Sequence, residues 1–213
     1  AIISYSGGFQ VMSVIKSGVM KGKITDQGVI FFPSAKKKII LTPEKSIQFQ
    51  FELKTDMVIV LDDFTDPKSD RKAAKISVER TIAWAKRSKT EFERICKDKK
   101  IAKNKRPYIL GVVQGGIFLD LRKYCAEELV KIGFDGLGYG GWPMTGDGKF
   151  DLDSAKTIAD NAPEDYFLYG LGVGKPDDIV DCAKLGYNIF DCVLPTRDAR
   201  HGRLYVYNSK SIS

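Results

Sequence analysis

From Pro43 onward the chain alternates short apolar runs with longer amphipathic stretches, and few folds other than a layered parallel α/β sheet accept that order. Met57-Val58-Ile59-Val60-Leu61 is apolar at every position, as expected of a strand covered on both faces. Ala74, Val78, Ile82, Ala85, Phe92 and Ile95 recur on one helical face, which predicts a long helix after it. Tyr108 to Val113 reads as the next strand, and Ile117, Leu121, Tyr124, Cys125, Leu129 and Ile132 mark the next helix. Further strands are predicted at Phe134 to Leu137, Tyr166 to Leu171 and Tyr187 to Phe190, with helices at Asp151 to Ala159 and Pro176 to Leu185. Thr42-Pro43-Glu44 is a helix start: an N-cap, a proline in the first turn and an acid beside it.

Before this series, Ile2-Ile3 reads as a strand end running into a glycine turn at Gly7-Gly8. Residues 21–42 look like inserted β-hairpins, with turns at Asp26-Gln27-Gly28 and Pro33-Ser34. The expectation is six parallel strands, near residues 1, 57, 108, 134, 166 and 187. A (β/α)₈ barrel needs eight strands and usually about 250 residues. The predicted fold is therefore an α/β TIM-barrel type that falls two strands short in 213 residues. Residues 1–213 form one catalytic barrel domain or a fragment of one, and a fragment is the favoured reading.

The predicted strand ends carry the chemistry. They present Ser6-Gly7-Gly8-Phe9-Gln10, Asp62-Asp63, Gln114-Gly115-Gly116, Gly138-Tyr139-Gly140-Gly141-Trp142, Gly172-Val173-Gly174 and Asp191. In barrels and doubly wound sheets, ligands bind at that end. Glycines with Asp and Gln on several rims fit a planar heterocycle approached closely by backbone, read by a carboxylate and an amide and stacked on an aromatic. Phe190 to Arg200 sets Asp191 before a Pro195 turn bearing Arg197 and Arg200, a pairing suited to a sugar carbon with phosphates nearby. Alone, that segment also fits a turn-capping Asp with two surface arginines.

Composition bounds the rest. With 43% hydrophobic and 29% charged residues the chain is of ordinary globular type. No apolar run approaches the roughly 20 residues of a membrane span, and no signal peptide opens the sequence. The net charge of +7 is concentrated at Lys36-Lys37-Lys38 and at Lys97, Lys99, Lys100, Lys103, Lys105 and Arg106. Such runs attract polyanions or simply line a solvated loop. Cys96, Cys125, Cys182 and Cys192 have no paired spacing, and His201 is the single histidine. Neither a zinc site nor a disulfide framework is recognisable, and reduced cysteines in a cytoplasmic protein are the expectation. A Ser-His-Asp or Cys-His triad is equally unsupported.

Taken together, Ser6-Gly7-Gly8-Phe9-Gln10, Leu41 to Ser46, Ser77 to Thr81, Val113 to Gly116, Phe134 to Gly136, Gly172-Val173-Gly174 and Phe190 to Arg200 resemble the queuine and archaeosine tRNA-guanine transglycosylases. The resemblance covers nearly the whole chain. It implies exchange of a guanine in tRNA for a 7-deazaguanine of queuine, preQ1 or preQ0 type, on a target base taken out of its stack. It makes Asp191 the nucleophile at ribose C1′ in a double displacement through a covalent ribosyl intermediate. Asp62 then reads guanine N1 and N2, Gln114 and the backbone of Gly140 and Gly141 hold O6, and Phe9 and Leu171 sandwich the base, with Ser6 beside them. Arg197 and Arg200 grip the anticodon loop. The partners implied are tRNA, a 7-deazaguanine and a second subunit, identical or homologous. No cofactor is expected within this chain, because the family's Cys/His zinc site would follow the last matched block.

Several positions depart from the family pattern. Tyr5 stands where the family has an Asp, Phe64 replaces a common Cys, Leu171 replaces the usual Met, and Trp142 to Asp147 replaces small residues and a Glu. These changes keep two alternatives open: the same exchange on DNA or another RNA, and a non-catalytic partner of an active transglycosylase.

Overall fold

The computed structural model describes residues 1–34 and 36–206. Six short strands form one parallel sheet: β1 (Ile3–Ser4), β5 (Met57–Ile59), β6 (Tyr108–Val113), β7 (Gly136–Tyr139), β8 (Phe167–Leu171) and β9 (Ile189–Asp191), in the spatial order β1-β5-β6-β7-β8-β9. All six were expected from the apolar runs. The sheet curls as part of a TIM-barrel-type wall, and among the described residues β1 and β9 each pair on one side only. Helices α2 (Pro43–Glu52), α3 (Arg71–Asp98), α4 (Leu119–Ile132), α5 (Leu152–Ala159) and α6 (Pro176–Lys184) cover its outer face. No helix among the described residues is long and apolar enough to cross a membrane.

Two N-caps start helices where the sequence demands. Thr42 Oγ1 accepts from Lys45 N–H at 3.2 Å ahead of Pro43, and Asp70 Oδ1 accepts from Ala73 N–H at 2.7 Å. Each such cap contributes about 1 kcal/mol. Strand residues divide by parity, because neighbours along a strand face opposite sides. Val58, Val60, Ile109, Val113 and Leu137 pack outward against the helices, with Phe92 and Leu129 among their partners. Met57, Ile59, Leu110, Val112 and Tyr169 face inward as a second cluster. Truncating Phe92 to Ala in the outer layer costs about 3–5 kcal/mol.

The insertion is a three-stranded antiparallel sheet of β2 (Lys21–Thr25), β3 (Gly28–Ser34) and β4 (Lys37–Leu41). Asp26-Gln27 makes the expected two-residue turn between Thr25 and Gly28. Pro33-Ser34, expected as the second turn, instead closes β3, and the ladder with β4 shifts between Phe31 and Ser34. A proline has no N–H for the ladder, so it ends regular pairing without itself making the turn. The indole N–H of the buried Trp84 donates to Asp26 carbonyl at 2.8 Å, anchoring the insertion to α3.

Two further expectations give way. The glycine turn leads directly into helix α1 (Gly8–Lys16), whose Met12 is buried against Val29, Leu61 and Trp84. The Pro195 turn is likewise a helix, α7 (Leu194–Arg200), with the proline in its first turn.

Candidate active site

Register builds the site. Val112 pairs with Gly138, Gly138 with Tyr169, Tyr169 with Ile189, and Leu171 with Asp191. Two residues further along, at the strands' C-terminal ends, the same alignment sets Gln114, Gly140, Leu171 and Asp191 in one row across four adjacent strands. Parity turns the whole row inward, onto the face that carries Tyr169. Adjacent strands lie about 4.8 Å apart, so the row is roughly 14 Å from end to end. The gap in its middle, at Gly140, is a place without a side chain.

At one end stands the pair Asp62–Gln114. Gln114 is fully buried; its Nε2 donates to Asp62 Oδ2 at 2.6 Å and its Oε1 accepts from Thr65 N–H at 3.0 Å. Both ends of the amide are thus committed, and its orientation follows from its partners. Burial pushes the Asp62 pKa up to about 6, with the neighbouring Asp63 charge adding to the rise and the Gln114 donor opposing it. Asp63 is itself buried and paired with Arg80 Nη1 at 2.5 Å, which makes it structural.

Gly140 is glycine because of this pair. A Cβ there would lie 2.7 Å from Gln114 Nε2 and 2.6 Å from Val113 carbonyl oxygen. Its N–H already donates to that carbonyl at 3.0 Å, extending the ladder. The next residue, Gly141, turns the chain at φ +88°, a conformation that favours glycine.

Behind this corner lies a residue that the sequence did not single out. Arg122 is buried on α4 and has no carboxylate partner among the described residues. Its Nε donates to Gly116 carbonyl at 2.7 Å, and its Nη1 to Gly140 carbonyl at 3.0 Å and Val113 carbonyl at 3.4 Å. Its guanidinium lies 4.6 Å from the Tyr139 ring centroid. One side chain therefore ties together the ends of β6 and β7. The five donors of a guanidinium suit several carbonyls at once.

Asp191 ends the row on β9, half-buried. Its Oδ1 accepts from Gly172 N–H at 3.2 Å. The Tyr5 and Tyr169 hydroxyls bond each other at 2.8 Å, and both lie near enough to Asp191 to feel its charge. Burial first, and then this carboxylate, hold the Tyr5 phenol far above its ordinary range; burial and Asp191 move Tyr169 to about 12. Both phenols keep their protons at neutral pH; one proton lies in the bond between them, which leaves one to donate elsewhere. Tyr169 is 2% exposed and Tyr5 41%, so one hydroxyl is fixed in the wall and the other stands at the opening.

The remaining candidates are distributed around this row. Leu171 occupies it, packed beside Tyr169 in the inward cluster. Phe9 sits at the start of α1, its ring 5.3 Å from Phe64, in a cleft of about 210 Å³ shared with Met12, Pro67 and Trp142. Phe9 and Leu171 thus belong to separate clusters. Ser6 acts locally, since its Oγ accepts from Gly8 N–H at 3.3 Å and its carbonyl from Ser46 Oγ at 2.9 Å. Arg197 and Arg200 lie three apart on α7, both exposed. Asp147 is held within its own exposed turn by Thr145 and Lys149. Among the described residues no three His, Cys, Asp or Glu side chains converge, so nothing here fits a zinc ion.

This is the rim of a barrel-type fold with a half-buried carboxylate at one end and a carboxylate–amide pair at the other. Comparison places it more narrowly: residues 1–212 match the family model described as queuine tRNA-ribosyltransferase, and the chain belongs to that family. A queuine tRNA-ribosyltransferase of Aliivibrio fischeri (strain MJ11) is 42% identical over 208 residues, covering 96% of this chain and 52% of the relative. A protein of that name from Haemophilus influenzae (strain PittEE) is 40% identical over 207 residues, covering 96% and 51%. The chain spans about half the length of these relatives.

Proposed function

We propose that this protein exchanges a guanine in tRNA for a 7-deazaguanine by double displacement at Asp191. The observation that carries the reading is the inward row Gln114–Gly140–Leu171–Asp191 with Asp62 bonded to its first member. An Asp191 oxygen attacks ribose C1′, the C1′–N9 bond breaks, and guanine leaves with the bonding electrons and takes up a proton. The incoming base then gives up a proton, attacks C1′ and expels the carboxylate, so protons balance over the cycle. Ionised Asp62 accepts from N1–H and the N2 amino group. The second amide hydrogen of Gln114 and the N–H of Gly141 serve O6, because Gly140 N–H is spent in the ladder. Leu171 supports one face of the base, and Phe9 closes the other from the α1 side. Arg197 and Arg200 hold anticodon-loop phosphates, whose double negative flank suits two guanidinium groups at helical spacing.

Incubating full-length protein with tRNA carrying labelled guanine and a free 7-deazaguanine should release label, and unchanged label rejects the reading. One observation favours a second reading, a non-catalytic partner subunit: the bonded Tyr5–Tyr169 pair lies beside the carboxylate that must attack. That reading requires salt-sensitive tRNA binding with no label released, and with release only when an active homologue is added.

A further inference from the structure

The strongest charge run in the sequence folds into a hollow that the exchange reaction leaves unused. It measures about 560 Å³ and opens at the N-terminal end of the sheet, between the loops that lead into β5 and β6. Asp191 ends its strand at the opposite face. Lys54, Lys99, Lys103 and Lys105 line the hollow, with Arg106 at its side.

Ion pairing separates these cations from others on the surface. Lys75, Lys123, Lys131, Lys156 and Lys184 each have a carboxylate neighbour one helical turn away. Lys54, Lys103 and Lys105 have no ion-pair partner among the described residues. Arg106 is already committed to Asp135 at 2.6 and 2.7 Å, which fixes the wall. The single acid in the lining, Asp56, accepts from Ile2 N–H at 2.6 Å. Lys97 in the last turn of α3 already complements that helix end, so the lysines beyond it are not needed for the dipole. Three unneutralised ammonium groups around one concavity select for an anion.

An aromatic face completes the hollow. Tyr108 is 49% exposed, and its ring packs edge-on against Phe167 at 4.9 Å and 75°. A ring braced in this way offers a flat surface on which a base stacks. The volume falls within the roughly 300–1,000 Å³ of small-ligand sites.

We propose that this hollow is a second ligand site that takes a nucleotide phosphate on Lys54, Lys103 and Lys105 and stacks the attached base on Tyr108. The phosphate belongs either to a free mononucleotide or to a phosphodiester of an RNA strand. The site stands apart from the exchange centre and does not depend on the reading given to it.

Calorimetric titration of the full chain with uridine monophosphate, uridine and a 12-nucleotide oligouridine tests this, because uracil lacks the guanine edge that Asp62 would read. Uridine monophosphate should bind, uridine should bind at least about tenfold more weakly, and Lys54→Ala/Lys103→Ala/Lys105→Ala should weaken the nucleotide by more than about tenfold. The oligouridine arm is run on Arg197→Ala/Arg200→Ala protein. Displacement of the mononucleotide by the oligomer assigns the site to RNA, and failure to displace it assigns the site to a free nucleotide. Uridine monophosphate binding that is unchanged in the triple variant, or no tighter than uridine, overturns the proposal. The melting profile of the triple variant serves as the folding control.

Discussion

The two ends of the inward row are built by opposite means. At the Asp62–Gln114 end the side chains are held by partners: the Gln114 amide is bonded at both its oxygen and its nitrogen, and Arg122 ties three carbonyls behind it. At the Asp191 end the carboxylate is half-buried and held by one backbone N–H, with a bonded pair of phenols beside it, one of them 41% exposed. Recognition of a flat base needs donors and acceptors that do not move, because a misplaced buried polar group costs as much as a lost hydrogen bond. A nucleophile needs the reverse: access, and lone pairs that can be given up to carbon. On the proposed reading the same sheet would supply both, by burying one end of a row and leaving the other at an opening.

The comparison can be broken most forcefully at Arg122. Arg122→Ala removes the side-chain donors to the carbonyls of Gly116 and Gly140, leaves Val113 carbonyl to Gly140 N–H alone, and should cost about 3 kcal/mol in chemical denaturation. A cost under about 1 kcal/mol would show that this end is not sealed by that side chain. Asp62→Asn should act in the other direction. Its folded-state pKa is raised from 3.8 to about 6, so ionising Asp62 costs stability that grows as pH rises through that window and is complete above about pH 6. The Asn variant should therefore be more stable by about 3 kcal/mol at pH 7, with the gain gone below about pH 4. A pH-independent difference would contradict the buried, ionised carboxylate. Guanine binding to wild-type protein should weaken over the same fall in pH, and Asp62→Asn should lose it.

Tyr5→Phe sharpens the other end. Gly172 N–H remains as a donor to Asp191 and the Tyr169 hydroxyl stays beside it, so the expected loss is about 1 kcal/mol or less, read from thermal melts. A loss as large as that for Arg122 would mean that Tyr5 seals its end too, and the contrast would fail. The smallest effect on stability is expected for Asp191→Asn, within about 0.5 kcal/mol, because an amide oxygen can still accept from Gly172 N–H.

The sheet was legible because six apolar runs are interrupted by helical periodicity, and the rim because strand ends follow from strands. The paired roles of Asp62, Gln114 and Asp191 rested on that placement together with the family resemblance. Helix α1 was not legible, since Gly7-Gly8 reads locally as a turn, whereas packing of Met12 on the insertion decides its state. Arg122 was hidden for a similar reason: between Leu121 and Lys123 it looks like one more surface charge on α4. Its signal was the pair Gly115-Gly116 on the strand end it must reach. The Tyr5–Tyr169 bond joins residues 164 apart, a contact that only the curl of the sheet creates. The sandwich of Phe9 and Leu171 rested on the family resemblance alone, because the two residues come from α1 and β8 and have different neighbours.

The claim that Asp191 is the reacting end of a shared row is tested most directly by mapping the covalent adduct. Full-length protein mixed with substrate tRNA, denatured and digested, should yield a ribosylated peptide whose modification lies on Asp191, and the Asp191→Asn protein should yield none. An adduct carried by any other residue, or one that persists in that variant, would contradict the account.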